Sequence, residues 1–280
     1  MKLLRYGPLG AERPALLAND GTIRCLSSVV RDIDGFALSE PALKMIADIN
    51  PGTLPKVDAS VRLGSCVARP VNYVCIGLNY ADHAAEAGMP VPKEPIIFLK
   101  SLGALCGPDD DVKLPRGSKK LDWEVELGIV IGKTARYVSE KEAIDHVAGY
   151  CVCNDVSERE FQIERAGTWD KGKGCDTFGP IGPWLVTRDE VKDDLALHLW
   201  LEVNGQRFQS GSTATMIFSP AYLVSYVSRF MSLQPGDIIS TGTPPGVGLG
   251  QKPPRYLVAG QTMRLGIQGL GEQRQRTVAA

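Results

Sequence analysis

Two acidic residues, Glu124 and Glu126, stand two positions apart in the run Asp122-Trp123-Glu124-Val125-Glu126-Leu127-Gly128-Ile129-Val130-Ile131. Val125, Leu127, Ile129 and Ile131 recur with the period of a β-strand, so the two carboxylates point to the opposite face together. Their backbone positions are then roughly 6.5–7 Å apart, a span over which both can reach one divalent cation. Asp155, which follows the apolar run 148–153, is a third candidate. Three carboxylates with no histidine beside them suit a hard ion, Mg²⁺ or Mn²⁺, better than zinc. A solvated strand face also carries such acid pairs, so the pattern alone leaves both readings open.

Other residues have the right types for work beside a cation. His83 and Glu86 are three apart in a helix-forming stretch, where side chains at that spacing are neighbours. A carboxylate next to an imidazole fixes its tautomer and raises its basicity, which makes a water-activating base; a surface pair is the alternative. Lys100 closes an apolar strand, and Lys173 lies among glycines, where backbone can approach a ligand. Either can contact a substrate carboxylate or enolate oxygen, or be a solvated strand end or loop. Arg159 and Gln162 share one face of the expected helix after Asp155. Thr241, Gly242 and Thr243 offer hydroxyls and N–H groups to an anion, or form only a tight turn. They are no phosphate loop, because Gly-Lys-Ser/Thr is missing. Cys153 and Cys175 have no local histidine to make them nucleophiles.

These groups need a strand-rich frame. Strands are expected at 3–6, 14–17, 22–26, 73–77, 95–100, 122–131, 148–154 and 237–240. Hairpins are expected at Asn19-Asp20-Gly21 and Asn204-Gly205. Helices are expected at 39–46, 79–88, 139–146, 157–165 and 219–230, with Ser39, Ser139 and Ser157 as caps; Glu142 and Glu160 complete capping boxes. The implied class is α+β and β-rich. A small amino-terminal β domain covers 1–68, and a larger catalytic domain covers 69–280, with the boundary near Ala68-Arg69-Pro70.

The chain has 280 residues, 44% hydrophobic and 22% charged, with a formal net charge of −1. No basic run suggests nucleic acid, and no apolar run reaches membrane-spanning length, so neither partner is expected. The amino terminus lacks an apolar signal core. Seven cysteines without a Cys-x-x-Cys pair read as reduced thiols of a cytoplasmic protein.

Taken together, the segments resemble the fumarylacetoacetate hydrolase family. The strings that carry the likeness are Gly77-Leu78-Asn79-Tyr80-Ala81-Asp82-His83-Ala84-Ala85-Glu86, Trp123-Glu124-Val125-Glu126-Leu127, Asn154-Asp155-Val156-Ser157-Glu158-Arg159, Gly172-Lys173-Gly174-Cys175-Asp176 with Gly179-Pro180, and Thr241-Gly242-Thr243-Pro244-Pro245-Gly246-Val247-Gly248. The resemblance implies a mixed β-roll of pseudo-barrel form, in a homodimer. It implies Mg²⁺ or Mn²⁺, one per chain, on Glu124, Glu126 and Asp155. His83 and Glu86 would activate water on a segment able to order as a lid. Lys173 would hold the substrate oxygen, and Arg159, Gln162 and the 241–243 turn would line the pocket. Gly174-Cys175 departs from the serine and aromatic commoner after that lysine. The implied reaction is hydrolytic C–C cleavage of a 2,4-dioxo acid. The likeness is greatest to members acting on diketo-deoxy sugar acids such as 2,4-diketo-3-deoxy-L-fuconate, some of which carry a ureidoglycolate lyase label. Oxaloacetate decarboxylation and hydroxymuconate-type isomerisation use the same enolate chemistry and stay open. A non-catalytic oxo-acid binder is the third reading, for which the His83–Glu86 pair would be superfluous.

Overall fold

A computed structural model describes residues 1–86 and 88–280. Alternating apolar residues build two mixed sheets, as the β-rich reading expects. The larger has eleven strands. In spatial order ten of them run Lys56–Val57, Ile23–Cys25, Arg13–Leu17, Lys2–Tyr6, Gly179–Thr187, Val147–Asn154, Val125–Ile131, Ile238–Ser240, Tyr73–Gly77 and Ile96–Leu99, and Leu105–Cys106 pairs with Gly179–Thr187. The second sheet runs Gln206–Ser212, His198–Val203, Thr262–Ile267, Gly271–Ala279 and Val112–Leu114. Both are open at their ends, so the roll does not close into a barrel.

Val125–Ile131 is buried along its whole length because both of its faces are covered. Val125, Leu127, Ile129 and Ile131 pack on Leu199, Leu201, Met263 and Leu265 of the second sheet and on Leu223 and Val224 of the helix Pro220–Val227. The other face meets the amino-terminal layer: Val130 joins Leu3, Leu38, Ile46, Cys151 and Cys153 in a second apolar cluster. A Cβ on Gly128 would come within 2.5 Å of Cys153 Sγ and 2.8 Å of Cys151 Sγ, so only glycine lets the thiol-bearing strand lie this close.

Turn chemistry behaves as read. Asn204 and Gly205 take φ of +50° and +79° and close the hairpin between His198–Val203 and Gln206–Ser212. The segment after Asp155 does not. Ser157–Glu158 is a short strand paired with Leu121–Asp122, and only Glu160–Glu164 coils, as a π-helical turn. Pairing with Asp122 claims the backbone that a helix cap would need, and Ser157 Oγ donates to Asp155 O instead (2.9 Å). The cap expected at Ser39 is likewise not made, since its hydroxyl donates to Phe36 O. Ser139 gives its hydroxyl to Glu142 rather than receiving an N–H, and the α-helix there spans only Glu140–Ala143. The helix over His83 and Glu86 is Ala81–Glu86; Ala87, inside the expected span, lies outside the described residues. Among the described residues no helix is long and apolar enough to cross a membrane.

Candidate metal centre

Glu124 sits immediately before the central strand, and Glu126 is its second residue. Asp155 is brought to them by antiparallel pairing, with Val125 opposite Asn154. Asp155 N donates to Glu124 O (2.9 Å), and Glu124 N donates to Asn154 Oδ1 (3.2 Å). The three carboxylates are all buried, and one oxygen from each lies within 4.8 Å of the others.

Cations surround this triangle. Lys173 Nζ donates to Glu124 Oε2 (2.6 Å) and Asp155 Oδ2 (2.7 Å). It arrives on the short helix Asp170–Lys173, which Gly172 lets pack against the π-helical turn: a Cβ there would meet Gln162 Cβ and Glu158 O at 2.5 Å. Arg159 spends its whole guanidinium inside the site, on Asp122 Oδ2 (2.8 Å), Glu124 Oε1 (2.6 Å) and Gln162 Oε1 (3.0 Å). Lys100 lies beneath Asp155 and outside the cavity lining; its ammonium donates to Val156 O and Lys173 O. It also stands 2.6 Å from Asp155 Oδ1, but out of hydrogen-bonding direction, so that oxygen has no hydrogen-bond partner.

Four buried acids, Asp122, Glu124, Glu126 and Asp155, thus face three buried cations, Lys100, Arg159 and Lys173. Glu126 is the acid without one; it is held by Ser240 Oγ (2.6 Å) and Gly242 N (2.9 Å). Burial, with the charges of Asp155 and Glu124, pushes its carboxyl well above the ordinary range. Burial acts the same way on Glu124, but Lys173, Arg159 and His83 outweigh it and hold that carboxyl well below. Lys173 loses to burial less than it gains from Asp155 and Glu124, so it stays protonated. The surplus acid at Glu126 and an all-oxygen donor set fit a hard divalent cation.

A cavity of ≈ 160 Å³ opens onto the triangle and is lined also by His83, Arg159, Gln162, Lys173 and Thr243. His83 Nδ1 lies 3.3 Å from Glu86 Oε2, and Glu86 receives Gly246 N at 3.0 Å on both oxygens. With its Nδ1 proton engaged by Glu86, the imidazole keeps Nε2 as the acceptor. The 241–243 turn is spent inward: Thr241 Oγ1 donates to Leu127 O and Thr243 Oγ1 to Val125 O, while Gly242 N holds Glu126. These groups position the acidic strand, and of the three only Thr243 borders the cavity.

Two participants carry no local signal in the sequence. Asp122 is fully buried and accepts from Arg159 Nε, Trp123 N, Gly248 N and Leu249 N, tying the arginine to the loop. Gly250 makes room for Glu86, whose Cδ would lie 2.3 Å from a Cβ at that position.

The chain is similar in sequence and fold to known proteins. The profile described as fumarylacetoacetate (FAA) hydrolase C-terminal matches residues 72–278. A Burkholderia ambifaria protein named "Putative hydrolase" is 63% identical over 278 residues, 99% of each chain. The fumarylacetoacetate hydrolase of psychrophilic Exiguobacterium antarcticum superposes with a TM-score of 0.88 at 34% identity over 100% of both chains. The maleylpyruvate hydrolase of Sphingobium sp. SYK-6, solved with manganese(II) and pyruvate, does so at 0.83 and 29%, again over 100% of both chains. Isomerases of 2-hydroxyhepta-2,4-diene-1,7-dioate and of 5-carboxymethyl-2-hydroxymuconate are also among the matching structures. With its acidic triangle, its lysine and its glutamate-backed histidine at one cavity, and with this match over most of its length, the chain belongs to the fumarylacetoacetate hydrolase family.

Proposed function

We propose that the protein is a Mg²⁺- or Mn²⁺-dependent hydrolase that cleaves the C3–C4 bond of a 2,4-dioxo acid, releasing pyruvate and a carboxylic acid. Glu124, Glu126 and Asp155 would hold the cation, and Lys173 and Gln162 line the same cavity. When bound, the cation supplies a Lewis acid for the 2-oxo carboxylate and favours negative charge on that end of the substrate. His83 Nε2 takes a proton from water as its oxygen attacks C4, and Glu86 stabilises the imidazolium that forms. The C3–C4 bond breaks, and its electron pair moves into the enolate of pyruvate. The Lys173 ammonium lies beside the developing charge and favours it. The proton that His83 took from water is returned to C3, which completes pyruvate and restores the neutral imidazole. Arg159 acts by positioning: anchored on Asp122, it keeps one oxygen of Glu124 turned away from solvent.

The observation that carries this reading is His83, backed by Glu86, in the same cavity as the three carboxylates, since activating water needs a base and retaining an oxo acid does not. Isomerisation of a hydroxymuconate-type diacid is the second reading, favoured by the isomerases among the matching structures. The test is pyruvate release from 2,4-dioxo acids with Mg²⁺, with chelator, and with His83→Ala. The reading expects metal-dependent release that falls by two or more orders of magnitude in the variant, roughly the worth of a general base. Oxaloacetate decarboxylation or diacid isomerisation that survives His83→Ala, with no C–C hydrolysis at all, would overturn it.

A further inference from the structure

The rest of the cavity wall has the opposite character from its acidic floor. Leu78, Met89, Phe98, Ile163, Trp169 and Leu249 form it. The wall is built with some care for shape. A Cβ on Gly77 would stand 2.5 Å from Trp169 Cζ3, so glycine there admits the indole, which meets Phe98 edge-on with centroids 5.3 Å apart. At the rim Met89 is 43% exposed and Ile163 52% exposed, large apolar side chains that border both cavity and solvent.

The polar side chains of the described lining are the acidic triangle, His83, Arg159, Gln162, Lys173 and Thr243; the wall itself adds no charged group and no hydroxyl. Arg159 turns its three nitrogens to Asp122, Glu124 and Gln162, and Lys173 is bonded to two carboxylates, so both cations are oriented toward the acidic floor. The one lining hydroxyl, on Thr243, donates to Val125 O and accepts from Gln209 Nε2. A second carboxylate or a row of hydroxyls pressed against this wall would lose water and gain no partner.

We infer that the substrate's acyl tail is uncharged and apolar, an aryl or medium-length alkyl group, and that Met89, Ile163 and Trp169 select it. This rests on the reading of the acidic floor as the site of the oxo-acid head. It departs from the sugar-acid tail that the sequence resemblance implies. It equally disfavours a dicarboxylic substrate.

Calorimetric titration of the Mg²⁺-loaded full chain tests it with ligands that share a head but lack the cleavable C4 ketone. Pyruvate is the head alone, 2-oxo-4-phenylbutanoate adds an apolar tail, and 2-oxoglutarate adds a carboxylate. The phenyl ligand is expected to bind about tenfold or more tightly than 2-oxoglutarate, the scale on which a hydrophobic pocket discriminates. Ile163→Lys, at an exposed rim position, is expected to narrow or reverse that ratio. Metal-dependent pyruvate binding with no gain from the phenyl group, or 2-oxoglutarate binding as tightly, overturns the tail assignment and spares the head. No metal-dependent binding of any of the three overturns both.

Discussion

Replacing Gly250 by alanine would disturb the His83–Glu86 pair without altering any charged or hydrogen-bonding side chain. The new Cβ would stand 2.3 Å from both Cδ and Cγ of Glu86 and 2.7 Å from Oε1. Carbon atoms rest about 3.5–4.0 Å apart, so the carboxyl has to retreat by roughly 1.2 Å. Gly250 is not in the left-handed region, so alanine suits its backbone and the flexible glutamate yields instead. The His83–Glu86 contact is already 3.3 Å, and Gly246 N sits 3.0 Å from each oxygen, so such a retreat breaks both. Loss of alignment at this scale lowers kcat by roughly 10- to 100-fold. The carboxylate triangle is untouched, so KM and Mn²⁺ affinity should stay within about twofold, and stability should fall by only about 1 kcal/mol for the lost hydrogen bonds. Steady-state pyruvate release, Mn²⁺ titration and urea unfolding measure the three quantities. Glu86→Gln should cost a similar factor, and the double variant little more than either, because both changes act through one imidazole. Wild-type kcat in Gly250→Ala, or a loss confined to metal affinity, would refute the reasoning.

Asp122→Asn removes the charge that anchors buried Arg159 and is expected to destabilise the fold by about 3–5 kcal/mol, as when one partner of a buried ion pair is lost; unchanged urea unfolding would count against that anchor. Native protein should present one thiol to an aromatic disulfide reagent, Cys175, and seven after denaturation, because the other six are buried. Burial raises the Cys75 thiol well above its usual range and takes Cys106 up to about 12, so fast reaction of a second thiol in the folded state would contradict the packing. Loading the metal should release protons over the pH range in which Glu126 titrates, since burial and its acidic neighbours push that carboxyl upward and a cation competes with its proton. Apparent affinity then rises with pH through that range, and calorimetry in buffers of different ionisation enthalpy reads the proton count; a count of zero at every pH would oppose this.

Much of the fold could be read because single strands and hairpins are local. The alternation through Val125–Ile131, the apolar run Val147–Asn154 and the Asn204-Gly205 turn need no partner to be recognised. The segment 157–165 misled because its capping-box pattern is also local, whereas its pairing with Leu121–Asp122 is not. In the site, the parallel aim of Glu124 and Glu126 follows from strand period alone. Their meeting with Asp155 depends on the register of two antiparallel strands, which here only motif likeness anticipated. Thr241 and Thr243 look like anion donors in sequence, yet their hydroxyls close on carbonyls of the acidic strand, a choice made by tertiary packing. Asp122 and Gly250 act through residues far along the chain, so neither has a spacing that reveals it.

The central claim is that Glu124, Glu126 and Asp155 together hold one divalent ion. Calorimetric titration of Mn²⁺ into chelator-treated protein addresses it directly, with Glu126→Ala and Asp155→Ala alongside and circular dichroism to verify folding. One saturable site per chain, abolished in both folded variants, is the predicted result. No binding by the unaltered chain, or equal binding by the variants, would contradict the account.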